Sequence, residues 1–417
     1  MKRTATIVGQ GYVGLPLAQA AVEAGWQVYG LDVTASLVEA LNSGTSHVDD
    51  LSDADVATMI EQGYRATTDA AVVAESDVVV ICVPTPLSDS GGPDLKAVRQ
   101  SSTSVGAHLK PSTVVILEST TYPGTTEDVL IPILESQSGL TAGQDFDVAF
   151  SPERINPGDP VYGVKNTPKL VGGISDHSTQ AAVGFYSDFV DEVVPVSGPK
   201  EAEMAKLLEN TFRHVNIALV NEMSKFAHDM GIDIWEVIRG ASTKPFGFMA
   251  FTPGPGVGGH CIPIDPNYLA HHVQKELGYP FRFVELAQEI NNSMPEYVVH
   301  RSADILNEQE RSVKGSRILV LGVTYKPDIA DQRESPAVAV AERLLARGAQ
   351  LSYHDPYVKS WHLADRTLRS VTDLDTALAE ADLVVLLQAH RAYDLASIEA
   401  RSAVLFDTRG KSEGIRL

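Results

Sequence analysis

The segment TATIVGQGYVG at residues 4–14 decides the fold class of this chain. Its first five residues form a short apolar run, and three glycines (Gly9, Gly11 and Gly14) follow in a GxGxxG pattern. An amphipathic stretch continues to about residue 24, and a second apolar run at 27–31 ends at Asp32. This order predicts a strand, a tight turn, a helix and a second strand, as in a parallel α/β unit.

Each glycine of this pattern has a physical role in binding a dinucleotide. Gly9 permits the tight turn, Gly11 lets a pyrophosphate approach the backbone, and Gly14 allows close packing of helix on strand. The helix N-terminus then faces the phosphates. A carboxylate at Asp32 accepts hydrogen bonds from ribose hydroxyls and repels a 2′-phosphate, which favours NAD over NADP. The alternative is a structural glycine turn followed by a surface aspartate.

Further apolar runs extend the pattern along the first half of the chain. Strands are predicted at 77–83, 114–118 and 148–150, separated by helical stretches. Such runs are typical of a parallel sheet covered on both faces. A stretch at 200–230 without glycine or proline predicts one long helix that bridges two domains, and helical segments continue to about residue 313.

The last hundred residues repeat the α/β pattern, with strands predicted at 317–323, 350–353, 382–387 and 403–407. No GxGxxG follows the first of these strands. The whole chain therefore reads as α/β, with two doubly wound, Rossmann-like domains joined by a long central helix.

Composition excludes several classes of function. The formal net charge is −21, which argues against nucleic acid or an anionic membrane as a partner because both require a basic surface. Only two cysteines occur, so a disulfide framework is not expected and a reducing compartment is favoured. The chain shows no signal-peptide pattern and no apolar run long enough to span a bilayer, and we predict a cytoplasmic protein.

The loop GPGVGGHCIPIDP at 254–266 carries the densest chemical signal. Four glycines precede Cys261, so the backbone can come close to a ligand there. A cysteine in such surroundings is placed for reaction, although a small buried core residue is an equally weighted alternative. Asp265 follows four residues later, and one helical turn would bring the two side chains together. Cys82 lies inside an apolar strand and is predicted to be core, and the lone Cys-His pair does not favour a metal site.

Other polar candidates occupy the long helix and predicted strand ends. Lys206 and Asn210 are four residues apart and share a helix face, where a lysine and an amide could stabilise a thiolate or an oxyanion. For a lone lysine, a solvated helix face is the simpler alternative. Thr120, Glu153 and Arg154 follow predicted strands, where catalytic residues of α/β enzymes usually lie.

Together these segments resemble the UDP-glucose and UDP-N-acetylhexosamine 6-dehydrogenase family, most closely the UDP-N-acetylglucosamine kind. The resemblance covers essentially the whole chain and rests on an ordered set of motifs: GQGYVGLPLA, CVPTP, ESTTYPGTTE, SPER, AKLLENT, GPGVGGHCIPIDP, YKPDIADQRESPA and FDTRG. It implies an NAD-binding domain at 1–198, a central helical and dimerisation segment with the nucleophile loop at 199–312, and a UDP-binding domain at 313–417. The implied cofactor is NAD, the implied substrate is a UDP-sugar, and the implied assembly is a homodimer.

The resemblance also implies a role for each matching residue. Cys261 would add to the C6 aldehyde and carry the thioester, Lys206 and Asn210 would stabilise the oxyanion, and Asp265, Glu153 and Thr120 would act on water and protons. The implied cofactor residues are Gly9, Gly11, Tyr12, Val13, Gly14, Asp32, Pro84, Thr85 and Thr120. The implied substrate residues are Glu153, Arg154, Lys206, Asn210, Phe246, Gly258, Lys326, Arg333 and Arg409. No metal ligand is implied.

Two departures from the glucose enzymes bear on the sugar. Pro157 stands where those enzymes usually carry a second glutamate, and His260 precedes the nucleophile. Both features resemble the N-acetylhexosamine branch. With the segments ESTTYPG and TKPFGFM, they favour UDP-GlcNAc as substrate over UDP-ManNAc, and UDP-glucose ranks third.

Three rival classes make different demands on the sequence. A single-step hydroxyacid dehydrogenase would need neither the cysteine loop nor a second α/β domain. A short-chain epimerase or dehydratase would need a Tyr-x-x-x-Lys pair, which the chain does not contain. A nucleotide-sensing binding protein would not need Lys206, Asn210, Cys261 and Asp265 together.

Overall fold

The computed structural model describes residues 3–48, 51–87, 92–155, 161–259, 262 and 264–417. It divides the chain into two compact units. The first unit comprises Met1–Glu209 and Asn267–Leu277, and the second comprises Asn210–Pro266 and Gly278–Leu417.

The first unit is built on an eight-stranded sheet with the order β3-β2-β1-β4-β5-β6-β7-β8. Its strands are β1 (Thr4–Val8), β2 (Gln27–Leu31), β3 (Tyr64–Thr67), β4 (Val78–Ile81), β5 (Val114–Leu117), β6 (Asp147–Phe150), β7 (Lys169–Gly173) and β8 (Val193–Pro195). Its helices are α1 (Gly14–Glu23), α2 (Ala35–Asn42), α3 (Asp53–Gln62), α4 (Lys96–Gly106), α5 (Ile131–Ser138) and α6 (Asp176–Tyr186).

Alternate residues of each central strand enter opposite core layers. In β4, Val78 and Val80 belong to one hydrophobic cluster, whereas Val79 and Ile81 belong to another. All four side chains are buried. Since both faces of the strand need apolar cover, the continuous apolar runs of the sequence correspond to a sheet with helices on both sides.

The antiparallel strand β7 departs from the predicted all-parallel sheet. It pairs with β6 in antiparallel register, with Ala149 opposite Gly173 and Phe150 opposite Gly172. The described part of the connection between the two strands (151–155 and 161–168) contains no helix, and an antiparallel pair needs no helical crossover. As a consequence β7 begins at the same edge of the sheet at which β4, β5 and β6 end.

Helix α7 (Pro199–Asp229) begins in the first unit and ends in the second. It confirms the long helix predicted at 200–230. The second unit continues with α8 (Ile234–Ser242) and α10 (Arg282–Glu308), while α9 (Asp265–Leu277) falls largely in the first unit. Helix α10 ends before residue 313, where helical structure was predicted to stop.

The second unit contains a five-stranded parallel sheet in the order β10-β9-β13-β14-β15, with a separate antiparallel pair of β11 and β12. The strands are β9 (Arg317–Leu321), β10 (Gln350–His354), β11 (Ser360–His362), β12 (Thr367–Arg369), β13 (Leu383–Leu386), β14 (Leu405–Asp407) and β15 (Ile415–Arg416). Its remaining helices are α11 (Pro336–Ala346), α12 (Leu374–Glu380) and α13 (Leu395–Arg401). The predicted second doubly wound domain is thereby confirmed, and β11, β12 and β15 were not foreseen.

Candidate active site

The turn after β1 has the geometry that a dinucleotide site requires. Gly9 has φ +90°, and a Cβ there would lie 2.7 Å from the Cys82 carbonyl oxygen. A Cβ at Gly14 would lie 1.9 Å from the Gly9 carbonyl oxygen, so helix α1 can approach the turn because that residue has no side chain. A Cβ at Gly11 would meet no atom within 4 Å, which leaves that backbone open to a ligand.

A buried glutamine that the sequence did not single out holds this turn. Gln10 is 0% exposed. Its Nε2 donates to the Ile7 carbonyl at 2.8 Å, and the Tyr64 hydroxyl donates to its Oε1 at 2.7 Å. A variable position between two glycines gives no pattern from which this role could be read.

The carboxylate of Asp32 is fixed at the end of β2. Its Oδ2 accepts a hydrogen bond from the Gln10 amide at 2.9 Å, and its Oδ1 accepts one from the Thr34 amide at 2.9 Å. Nearby, Tyr12 is 42% exposed and Val13 is the N-cap of α1. This arrangement suits the ribose and pyrophosphate of a bound dinucleotide.

Two hydroxyl groups join the segments that follow β4 and β5. Thr85 Oγ1 donates to the Thr120 carbonyl at 2.8 Å, and Ser119 Oγ donates to the Val83 carbonyl at 2.8 Å. Pro84 lies between the two points of attachment. The predicted cofactor residues of these two segments are therefore neighbours at the carboxyl edge of the sheet.

Glu153, Arg154 and Lys206 come together in the first unit. Lys206 is 9% exposed, and its ammonium donates to the backbone carbonyl of Glu153. Arg154 pairs with Glu209 at 2.8 Å and also donates to the Pro168 carbonyl at 2.8 Å. One salt bridge and one hydrogen bond to a backbone carbonyl thus tie the SPER segment to the first turns of α7.

In the second unit, the Asn210 amide donates to Asp265 Oδ2 at 2.5 Å. Asp265 is 3% exposed. Helix α9 begins at Asp265, and the predicted approach of Asp265 to Cys261 falls on residues outside the described part of the chain. Cys261 itself, with His260 and Pro157, lies outside the described residues.

The glycine loop before Cys261 is held by close backbone contacts. The Gly254 amide donates to Asn221 Oδ1 at 2.9 Å. A Cβ at Gly258 would lie 2.6 Å from the Glu334 carbonyl, and one at Gly259 would lie 2.7 Å from the Tyr325 ring. Any side chain at these two positions would displace the loop, and Asn221 is a supporting residue that sequence reasoning missed.

Arg409 lies beside the same loop. A Cβ at Gly254 would be 2.9 Å from Arg409 Nη1, and Arg409 Nε donates to the Leu387 carbonyl at 2.7 Å. Burial lowers the pKa of the Arg409 guanidinium to about 10 against the opposing effect of Asp407. The side chain therefore stays cationic at neutral pH and can meet an anionic ligand.

The other predicted substrate residues of the second unit lie on exposed or polar loops. Arg333 donates twice to Asp331, from Nε at 2.9 Å and from Nη2 at 2.7 Å. The Lys326 carbonyl accepts from Thr324 Oγ1 at 2.7 Å. Phe246 is 71% exposed, with the Lys244 ammonium 4.9 Å from its ring centroid.

The turn after β9 repeats the geometry of the turn after β1. Gly322 has φ +74°, and Asp355, which follows β10, accepts from the Val323 amide at 2.8 Å. In contrast with Asp32, however, Asp355 is 4% exposed and lies 3.1 Å from His390 Nε2. Because the Asp355 carboxylate is already bonded to the Val323 amide and to His390, a nucleotide bound to this domain must be held by other groups.

An open cleft of about 480 Å³ lies elsewhere in the first unit. Its lining includes Lys96, Arg99, Tyr122, His271 and Lys275. None of the predicted site residues lines it. The glycine turn, the strand ends and the glycine loop that carry those residues therefore lie outside this cleft.

Comparison with known proteins decides the family. The chain matches the UDP-glucose/GDP-mannose dehydrogenase family in three consecutive parts: the NAD binding domain over residues 3–190, the central domain over 200–293 and the UDP binding domain over 319–412. The chain belongs to this family. It is an NAD-dependent UDP-sugar dehydrogenase, and the predicted cofactor and enzyme class are confirmed.

Individual members of the UDP-glucose/GDP-mannose dehydrogenase family show how evenly the chain is related to enzymes for different sugars. It is 36% identical over 358 residues to UDP-N-acetyl-D-glucosamine 6-dehydrogenase of Pseudomonas aeruginosa, covering 85% of this chain and 83% of the relative. It is 35% identical over 422 residues to UDP-N-acetyl-D-mannosamine dehydrogenase of Yersinia pestis, covering 98% of each. The solved UDP-D-ManNAc dehydrogenase of Pyrococcus horikoshii superposes with a TM-score of 0.88 at 32% identity, over 98% of this chain and 95% of that one.

Within the described part of the chain, no helix is long and apolar enough to cross a membrane.

Proposed function

We propose that this dehydrogenase oxidises the C6 alcohol of a UDP-N-acetylhexosamine to the carboxylate in two steps through Cys261, with UDP-GlcNAc as the preferred substrate. The 2.5 Å bond between Asn210 and Asp265 carries the proposal. It anchors the chain four residues after Cys261 to an amide of the long helix, and the acid is buried. A single-step hydroxyacid dehydrogenase forms no covalent adduct and would not require a buried acid at this position.

The chemistry follows from the residue types. NAD, when bound, accepts the hydride that leaves C6 in each oxidation. In the first step the alcohol becomes an aldehyde, to which the Cys261 thiolate adds. The second hydride leaves a thioester, and water then displaces the thiolate to release the carboxylate. Lys206 and Asn210 stabilise the oxyanions of the adduct, while Glu153, Thr120 and Asp265 position water and move protons.

The same proposal assigns the remaining residues. Gly9, Gly11, Gly14 and Asp32 hold the dinucleotide, with Tyr12, Val13, Pro84 and Thr85 beside it. Arg409 meets the nucleotide of the substrate, and Lys326 and Arg333 lie near the substrate and the subunit interface. Arg154, Phe246 and Gly258 also bind the substrate. The three functional segments are 1–198, 199–312 and 313–417.

UDP-ManNAc is the second candidate because the Yersinia pestis relative is similar over 98% of both chains. The purified chain should be assayed with NAD and each of UDP-GlcNAc, UDP-ManNAc and UDP-glucose. We expect two NADH per UDP-GlcNAc consumed and the highest kcat/KM for that sugar. A higher kcat/KM for another UDP-sugar would make that sugar the preferred substrate instead. One NADH per sugar would refute the two-step route. NADP in place of NAD should support little turnover, as Asp32 predicts.

A homodimer is also part of the proposal. Phe212, Leu219 and Phe226 recur at heptad spacing on α7 and are 47%, 52% and 48% exposed. An apolar stripe of this kind is typical of helix packing between subunits. We expect sedimentation equilibrium to give a dimer for the wild type and a monomer for the double variant Leu219→Asp/Phe226→Asp. Leu277→Asp, at another exposed apolar side chain, is the matched control and should remain dimeric.

A further inference from the structure

A buried group of ionisable side chains lies at the carboxyl edge of the eight-stranded sheet. Glu118 directly follows β5, Glu153 follows β6 and Lys169 is the first residue of β7. Because β7 is antiparallel to β6, its first residue lies at the edge where the parallel strands end. This edge is where ligands of doubly wound domains bind.

Lys169 stands between the two carboxylates. Its ammonium nitrogen is 2.9 Å from Glu118 Oε1 and 3.8 Å from Glu153 Oε2. The side chains of Lys169, Glu118 and Glu153 are 9%, 0% and 13% exposed. Such charges are costly to bury unless each is paired and hydrogen-bonded, so the cation compensates both acids at once.

Two neutral donors complete the shell around Glu118. The Tyr186 hydroxyl donates to Glu118 Oε1, and the Cys82 thiol donates to Oε2 at 3.9 Å. Burial, reinforced by Glu118, raises the pKa of Tyr186 and of Cys82 well above their usual values. Both groups therefore keep their protons, and Glu118 serves as a fixed anchor for Lys169.

Hydrogen bonds and an ion pair hold both the carboxylate and the backbone of Glu153. The Ile155 amide donates to Glu153 Oε1, and the Lys206 ammonium donates to the Glu153 backbone carbonyl. Its second carboxylate oxygen faces Lys169. The charged and titratable groups of the described elements around it are Lys169, Glu118, Cys82, Tyr186, Lys206 and the Arg154–Glu209 pair.

We propose that Lys169, anchored by Glu118, is a positioning residue that holds the Glu153 carboxylate in place at the carboxyl edge of the sheet for the proton transfers of the oxidation. This inference rests on the proposed function, in which Glu153 acts on water during thioester hydrolysis. Glu153 takes a proton from the water that attacks the thioester carbonyl, and the Cys261 thiolate leaves. Lys169 and Glu118 touch neither sulfur nor sugar in this step.

The two charged partners of Glu153 predict opposite effects on the pH profile. Removing the cation favours a protonated carboxyl at its neighbour, so Lys169→Met should move the acidic limb of kcat to higher pH. Glu118 is a second negative charge beside Lys169 and Glu153, and its removal leaves Glu153 as the acid that pairs with Lys169. Glu118→Gln should therefore move that limb to lower pH. A residue with only a structural role would not produce shifts of opposite sign.

The test compares Lys169→Met, Glu118→Gln, Lys169→Arg and Lys165→Met with the wild type. Lys165 is an exposed lysine on the segment before β7, so its variant matches the change in charge. We expect Lys169→Met to lower kcat about tenfold to a hundredfold with little change in KM, and to move the limb up by about 1 pH unit. Intact-mass spectrometry should show the acyl-enzyme accumulating. Lys169→Arg should restore the limb, and Lys165→Met should match the wild type.

The outcomes separate this inference from the function on which it rests. A wild type that does not form two NADH per sugar overturns both. If the wild type forms two NADH per sugar and Lys169→Met has the same acidic limb of kcat as the wild type, only the positioning role of Lys169 is overturned. If thermal unfolding shows that Lys169→Met is not folded, Glu118→Gln provides the test. The proposal is refuted if the acidic limb of kcat in that variant stays where it is in the wild type or moves to higher pH.

Discussion

Replacement of Cys261 by serine is expected to lower the rate of carboxylate formation at least about 10³-fold. A thiol is partly ionised near neutral pH and is a strong nucleophile, whereas a serine hydroxyl needs a dedicated base to attack an aldehyde. The second oxidation requires the covalent adduct, so the variant should stall after the first. The measurement is the ratio of NADH formed to UDP-sugar consumed, with chromatography of the uronic acid product.

Cys82 provides the matched control, because it is the other cysteine of the chain. Burial and Glu118 raise the pKa of its thiol well above the usual value, so it should remain protonated and unreactive. Cys82→Ala should keep turnover within several-fold of the wild type, and iodoacetamide should modify the wild type at Cys261 before Cys82. A Cys261→Ser enzyme that forms two NADH per sugar at the wild-type rate would contradict the covalent route.

Local pattern was enough to predict the first two strands of the first unit and the long helix. The run at 4–8 and the run at 27–31 were predicted residue for residue, as β1 and β2 show. Helix α7 differs from its prediction by one residue at each end. These elements follow from apolar periodicity and from glycine and proline spacing, which act over a few residues.

The features that sequence reasoning missed depend on contacts between distant residues. Lys169 pairs with Glu118, 51 positions earlier, as the numbering shows. A single lysine before an apolar run gives no local sign of such a partner. Glu118 did end a predicted buried strand, and a charged residue at that point could have indicated a compensating cation.

The same distinction between local sequence patterns and contacts between distant residues applies to the candidate site. The turn glycines and Asp32 were predicted, because their roles are set by backbone geometry within one βαβ unit. The Asn210–Asp265 bond joins residues 55 positions apart. Sequence spacing placed Asn210 on the long helix and Asp265 four residues after Cys261, and the family resemblance implied a role for each. Neither predicted the bond between them.

Loss of the Lys206 charge is expected to have the second large effect on turnover. The Lys206 ammonium donates to the Glu153 carbonyl, and the residue is 9% exposed. The charge therefore acts in a poorly solvated site, where it stabilises an oxyanion most. Lys206→Met keeps the length of the side chain and removes the charge. We expect kcat to fall about 10²- to 10³-fold, with KM changed by no more than several-fold.

Lys200 supplies the control on the same helix. Its ammonium is 2.6 Å from Glu127 Oε2 and its side chain is 53% exposed, and exposed pairs of this kind contribute little. Lys200→Met should therefore retain wild-type kinetics. If both variants lose kcat equally, the loss comes from the helix and not from the oxyanion. If Lys206→Met raises KM at unchanged kcat, Lys206 binds the substrate equally in ground and transition states, and its role in stabilising the oxyanion is wrong.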